Sequence, residues 1–330
     1  MKFALDIRRI VFTITVLIFL AGACSPARPS ATPAAIAPVQ NTPAVTGGIG
    51  ILGDSFSDEY QADDARGGSY SKTTLNWVEQ LALTRGLNFG KWGTWGEPRR
   101  TGYEYNWARS GATADSMITS GQHTGLAKQV AEGKVSYVVM WIGNNDFHLT
   151  NGPYEEIYSG QLSGDALQKK IDHTVEDMTT AMDTILQAGN VKMAVVLVAD
   201  QGVAPRSRLL FPNPRKRQRV TAAINAVNAK LSEAAKERGV LILDTNAFGK
   251  VLLARVDWRG YVDFSGEKIS ILQKGDEPHH IQLADHSGHA GTVLSGIVAN
   301  TFFIEPFDEA FGLNIPPLTD DEILHNAGLK

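Results

Sequence analysis

The chain has 330 residues, 43% hydrophobic and 20% charged, enough apolar material for a full core in one large or two small domains. Its formal charge of -4 gives no global basic field, which removes the electrostatic case for nucleic acid as a partner. A single cysteine, Cys24, excludes an internal disulfide.

At the N-terminus, Lys2, Arg8 and Arg9 precede an apolar run from Ile10 to Ala23. The run is shorter than a membrane span needs and has the length of a secretory h-region. It ends in Ala21-Gly22-Ala23, directly before Cys24. This resembles a bacterial lipoprotein signal, in which the cysteine is lipidated and becomes the first mature residue. The Leu usual three places before that cysteine is Ala21 here, with Leu20 one place further out. An ordinary cleaved signal and an uncleaved anchor are the other two readings. Residues 25–46 are rich in Pro, Ala and Thr and read as an extended tether. The expected organisation is a signal over 1–23, a tether over 24–46 and one folded domain over 47–330. The expected location is outside the cytoplasm: anchored in the cell envelope through Cys24, otherwise secreted.

In chain order, Gly48 to Gly53 is a short apolar run between glycines, as a buried parallel strand would be. Thr74 to Gly86 predicts a helix, with Trp77, Leu81 and Leu83 on its apolar side and a glycine stop. Val135 to Gly143 is a second buried strand. Asp165 to Ala188 predicts a long amphipathic helix through Leu167, Ile171, Val175, Met178, Met182 and Ile185. Val191 to Asp200 is a third strand, Gln218 to Arg238 a second long helix, and Gly239 to Asp244 a fourth strand. His289 to Phe303 predicts another helix, and Thr319 is placed to cap a short final one. The segment from Asp58 to Tyr105 reads as a long insertion after the first strand. Neither an internal repeat nor a second domain boundary is visible. Strands alternating with helices predict a parallel sheet covered on both faces, with ligand chemistry at the strands' carboxyl ends.

Four short blocks fall at such positions. Ser55 lies in "GDSFSDEY", Gly111 in "RSGAT", Asn145 in "GNND", and Asp285 and His289 in "DHSGH". In order and context they resemble the SGNH, or GDSL-type, hydrolases, a family of serine esterases, over nearly the whole domain. The resemblance implies a three-layer α/β/α sandwich around a mostly parallel central sheet, flavodoxin-like in plan. It also implies hydrolysis of a carboxylic ester through an acyl-enzyme on Ser55, with His289 as base and Asp285 orienting it. The oxyanion hole would be the N–H groups of Ser55 and Gly111 and the amide of Asn145. No cofactor and no metal is implied. The sequence departs from the family in two places. Phe56 stands where Leu is usual. The last block is usually Asp-x-x-His followed by Pro, whereas three residues separate Asp285 from His289 and Ala290 follows. His286, beside Asp285, is the alternative base, and a displaced acid is the other way to read the extra residue.

Remaining signals are weaker. His279, His280, His286 and His289 with Asp276 and Asp285 have no metal-ligand spacing behind them. "PRKRQR" (Pro214 to Arg219) reads as a helix start followed by a solvated face. Trp92, Trp95 and Trp107 are either stacking platforms for substrate or ordinary packing. Asp54 and Asp146 are expected to fix loops through backbone N–H groups. The G-x-S-x-G elbow and the phosphate loop G-x-x-x-x-G-K are both absent. Gln201 to Pro214 and Asp58 to Tyr105 are the candidate pocket walls. Two rivals stand beside hydrolysis: a non-catalytic surface lipoprotein that binds a glycan or lipid, and an acyltransferase on the same fold. The sequence leaves the ester open among lipids, simple esters, thioesters and acetylated glycans, and it leaves the oligomeric state open.

Overall fold

A computed structural model describes residues 47–330 apart from 64, 286 and 287. The predicted signal, Cys24, the tether and His286 therefore lie outside the described residues. In chain order the elements are β1 (Gly48–Gly53), α1 (Trp77–Arg85), β2 (Trp92–Thr94), β3 (Thr101–Tyr103), α2 (Ala114–Thr119), α3 (Gln122–Ala131) and β4 (Val135–Trp141). They continue with α4 (Tyr154–Ser159), α5 (Gly164–Ala188), β5 (Lys192–Val196), α6 (Pro205–Leu210), α7 (Pro214–Glu237), β6 (Leu241–Leu243) and α8 (Thr245–Ala254). The last are β7 (Tyr261–Phe264), β8 (Glu267–Lys274), β9 (His280–Gln282), α9 (Thr292–Ala299), α10 (Glu305–Phe311) and α11 (Asp320–Asn326).

The main sheet has the order β1-β4-β5-β6, and every pairing in it is parallel. An extended run over 105–109 lines the free side of β1. Ile51 donates to Tyr105 O (3.0 Å), Trp107 to Ile51 O (2.9 Å) and Arg109 to Gly53 O (3.0 Å). With that run counted, strand order is 2-1-3-4-5 and the chain reverses direction of travel between β1 and β4. A crevice opens at such a switch point, outside the carboxyl ends of the strands.

Helices cover both faces of this sheet, which makes the α/β/α sandwich. Alternation along β1 sends Ile49 and Ile51 into one core with Val139, Trp141 and residues of α1, α9 and α11. Leu52 goes to the opposite core with Val138, Met140 and residues of α3 and α5. All six β1 residues are buried, and a Cβ at Gly50 would stand 2.5 Å from Leu126 of α3. The missing side chain is what lets α3 approach.

Several predicted elements have other bounds in the structure. β5 stops at Val196 because the ladder is taken over by a side chain: the Asn228 amide accepts from Val198 N and donates to Val198 O, each at 2.9 Å. The α1 helix starts only at Trp77, where Asn76 and Glu79 form a capping box, and Leu83 is left exposed. α7 begins at Pro214 rather than Gln218, behind the Asn213 cap. The helix expected from His289 begins at Thr292 and widens after Ala299 into a π-turn over Asn300–Ile304. Thr319 caps α11 as expected.

Several elements had no counterpart in the sequence reading, among them α2, α3, the β2–β3 pair and a small sheet that bears on the site. β7 pairs antiparallel with β8, and β8 pairs parallel with β9. From β9 the chain runs out and folds back: Leu283 donates to His289 O (2.9 Å) and Gly291 to Ile281 O (2.8 Å). The arm that carries Asp285 and His289 is therefore held at both feet. Among the described residues no helix is long and apolar enough to cross a membrane.

Candidate active site

β1 ends at Gly53, and the chain turns at once. Ser57 and Asp58 donate to Asp54 O, both at 3.0 Å, while the Asp54 carboxylate accepts from Phe56 N at 3.0 Å and Asn144 Nδ2 at 3.4 Å. Ser55 is thereby fixed at the tip of a buried strand with its own N–H outside the turn's hydrogen bonds. Burial raises the Asp54 carboxyl from 3.8 to about 7, against the lowering effect of Phe56 N–H and Asn144.

His289 Nε2 lies 2.7 Å from Ser55 Oγ, and His289 Nδ1 lies 2.7 Å from Asp285 Oδ2. Ser55 and His289 are both buried. The additional residue between Asp285 and His289 is absorbed by a turn with Gly288 in the left-handed region (φ 69°). Asp285 Oδ1 caps that turn, accepting from Gly288 N (2.6 Å) and His289 N (3.2 Å), which leaves Oδ2 for the imidazole. Burial pushes the Asp285 carboxyl up. The hydrogen bond and charge of His289, with the two backbone N–H groups, outweigh it and hold the group well below the usual carboxylate range.

Asn145 follows β4 and is buried; its Nδ2 donates to Ala112 O at 2.9 Å. That bond ties the end of β4 to the Gly111 loop, and Asp146 adds a second tie by accepting from Ala114 N at 2.8 Å. Gly111 is in the left-handed region (φ 82°), with nothing within 4 Å of where a Cβ would stand. Among the described residues, the N–H groups of Ser55 and Gly111 have no hydrogen-bond partner. Ser55, Phe56, Asn144, Asn145, His148, Gln201 and His289 line a cleft of about 60 Å³ with Asp54 at its base. Phe56 stacks on Trp141 (centroids 5.2 Å apart) and lies 5.8 Å from the His289 ring, so the residue that replaces the family's Leu forms a rigid wall of the cleft.

Arg66 was not singled out in the sequence. Its Nη1 lies 2.9 Å from His289 Nδ1 and donates to Asp285 Oδ2 at 3.2 Å, while Nη2 donates to Ser110 Oγ at 3.0 Å. Its guanidinium also stands 5.4 Å over the Tyr60 ring. It comes from "ADDARGG", a stretch with no periodicity to mark it. Of the two candidate walls, Gln201 of one reaches the Ser55 cleft, and Arg66 of the other reaches the far side of the histidine. None of the three tryptophans lines this cleft: Arg99 lies 4.6 Å over Trp95 and 4.5 Å over Trp107, which occupies one face of each, and Trp92 meets Tyr103 edge-on.

His279 and His280 pair with Glu267 and Glu277 on the surface of the small sheet. Among the described residues, Asp115, His173 and Asp177 bring one donor atom each within 4.8 Å of one another. His173 accounts for that cluster as a bridge between two carboxylates, 3.7 Å and 3.6 Å away, and it lies apart from the Ser55 cleft.

A hydroxyl, an imidazole and a half-buried carboxylate in one hydrogen-bonded chain can pass a proton away from the hydroxyl. The sequence over residues 49–266 matches the model of the GDSL-like lipase/acylhydrolase family, about two-thirds of the chain. The chain belongs to that family. It is a hydrolase acting on ester bonds. No curated protein matches the sequence. Among solved structures, this family member is similar to the psychrotrophic esterase EstA from Pseudoalteromonas sp. (15% identity, TM-score 0.35, 63% of this chain and 83% of that one covered). It is also similar to an extracellular lipase from Streptomyces rimosus (17%, 0.37, 60% and 80%). A third likeness is to a variant of Axe2, an acetyl xylan esterase from Geobacillus stearothermophilus (15%, 0.42, 79% and 94%).

Proposed function

We propose that the protein is a serine esterase that takes short acyl groups, and that the hydrogen-bonded chain Ser55–His289–Asp285 is its catalytic triad. The observation that carries this reading is the pair of 2.7 Å contacts on the two nitrogens of one imidazole. With Nδ1–H donated to Asp285, Nε2 accepts the Ser55 proton. Oγ then attacks the ester carbonyl carbon. The oxyanion is received by Ser55 N–H, Gly111 N–H and the remaining N–H of the Asn145 amide. His289 passes its proton to the leaving alcohol, and water, deprotonated by the same nitrogen, releases the acid from the acyl-enzyme. The small cleft walled by Phe56 supports an acetyl-sized acyl group over a long chain. The location proposed for the enzyme is the cell envelope, with Cys24 as its lipid anchor.

The test is hydrolysis of p-nitrophenyl esters of rising chain length by the wild type and by Ser55→Ala, His289→Ala and His286→Ala. Acetate should be the best substrate. Ser55→Ala and His289→Ala should each lower kcat about a thousandfold or more, and His286→Ala should keep most activity. A fluorophosphonate should label the wild type and spare Ser55→Ala. Equal rates for the wild type and Ser55→Ala would sink the triad. Activity lost with His286 and kept without His289 would move the base to His286.

A further inference from the structure

The chain is acidic overall, yet no Asp or Glu occurs between Asp200 and Glu233. Arg206, Arg208, Arg215, Lys216, Arg217 and Arg219 fall in the first part of that gap, and among the described residues none of them pairs with a carboxylate. Their contacts are to neutral groups: Arg208 to Val203 O (3.1 Å), Arg217 to Phe211 O (2.7 Å), Arg219 to Tyr158 O (3.0 Å), and Lys216 over the Tyr158 ring. The same segment leaves large apolar side chains in water. Leu209 is 77% exposed, Leu210 55% and Val203 50%.

The segment is rooted, not loose. Phe211 packs on Tyr154 and Tyr158 (centroids 4.6 and 4.9 Å away), and Gly202 lies so close to α7 that a Cβ would meet Thr221 and the Arg217 carbonyl. It also borders the catalytic cleft. Gln201 lines that cleft, and its carbonyl accepts from the Ser207 hydroxyl of α6. On the other flank, Lys274 packs over Gly288, next to His289. Burial, and then the charge of Arg206, lower the Lys274 ammonium.

We infer that α6 and the start of α7 form a docking surface for an anionic phospholipid bilayer, which seats the mouth of the Ser55 cleft at the membrane surface. Unpaired cations match the lipid phosphates and the negative surface potential of such a membrane. Exposed leucines within a basic collar are the pattern of a segment whose apolar tips enter the boundary between headgroups and acyl chains. A soluble polyanion would use the cations and gain nothing from Leu209 and Leu210. A second copy of this chain would bring six like charges against six.

The test places an environment-sensitive fluorophore at Leu209→Cys in the full chain carrying Cys24→Ser. Vesicles of phosphatidylcholine with about one-third phosphatidylglycerol should brighten and blue-shift the dye; pure phosphatidylcholine should not. Combining Arg206→Gln, Arg208→Gln and Lys216→Gln should weaken that response about a hundredfold, and molar salt should suppress it, because the screening length falls to about 3 Å. The triple variant should hydrolyse soluble p-nitrophenyl acetate at the wild-type rate, and Ser55→Ala should dock unchanged. Docking and catalysis are thus read separately. A silent dye with anionic vesicles overturns the proposal. So does an equal response to neutral vesicles, which removes the cations from it. A response to heparin without vesicles would make this a polyanion site, and a response to protein concentration alone would make it a contact between copies.

Discussion

The Asn145 amide divides its two protons between structure and chemistry. One N–H holds Ala112 O at 2.9 Å and so fixes the Gly111 loop; the other is the one that the proposed oxyanion hole would use. Asn145→Ala removes both, and kcat/KM on p-nitrophenyl acetate should fall about 10²–10³-fold, mostly in kcat. Asn145→Asp is nearly isosteric but has no protons to give and sets a carboxylate against the Ala112 carbonyl. It should fall at least as far as Ala. An aspartate variant that keeps most activity would take the amide out of the oxyanion hole. At this scale the sequence was informative where a residue follows an apolar strand. Ser55 and Asn145 stand out because β1 and β4 end beside them. Arg66 comes from a charged loop, and only the folded chain brings it within 2.9 Å of His289 Nδ1.

At the scale of the element, β1 delivers Ser55, and its glycines do different work. A Cβ at Gly50 would press on Leu126 Cδ1 at 2.5 Å, the far end of a flexible side chain, within the core. A Cβ at Gly53 would meet Trp141 O at 2.7 Å, the same carbonyl that accepts from Asp54 N at 3.2 Å. Backbone cannot give way as a side chain can. Gly50→Ala should therefore lower the urea midpoint, by about 1–3 kcal/mol of stability, and leave kcat near wild type. Gly53→Ala should shift the turn that carries Ser55, with kcat down about tenfold or more, since misplacement by an ångström costs that much. Equal activity in the two variants would show that β1's end is not what positions the serine. The strands of the main sheet were legible as apolar runs because both faces of that sheet are buried. The small sheet was not. β8 alternates only briefly and ends in three exposed residues, so no period marks it. That is why the turn that carries Asp285 to His289 could not be foreseen from the spacing in "DHSGH".

Across the whole molecule, the acids buried around the first turn of the domain set how stability responds to pH. Burial raises Asp54 from 3.8 to about 7 and Glu79 from 4.5 to about 7, the latter despite accepting from the N–H groups of Asn76, Gln61 and Tyr60. Burial also holds Glu59 well above the ordinary range. The unfolded chain loses these protons near pH 4, whereas the folded chain keeps those of Asp54 and Glu79 until about pH 7 and holds that of Glu59 well above its ordinary range. Folding therefore takes up protons between those limits, and stability falls as pH rises through the window. Asp285 acts in the opposite sense, since its carboxylate is favoured by folding. Its contribution is lost only on going below the ordinary carboxylate value, outside the window. The melting temperature should be highest near pH 5 and lower by roughly 5–10 °C at pH 8, from a few kcal/mol spread over a domain of this size. Asp54→Asn and Glu79→Gln keep the volume and remove the titration, so each should flatten the slope, and the pair should flatten it further, down to what Glu59 contributes. Asp285→Asn should leave the slope above pH 5 as it is. Calorimetry across pH 5–8 decides the matter: a wild-type melting temperature that rises with pH would mean that these carboxyls are ionised in the folded protein.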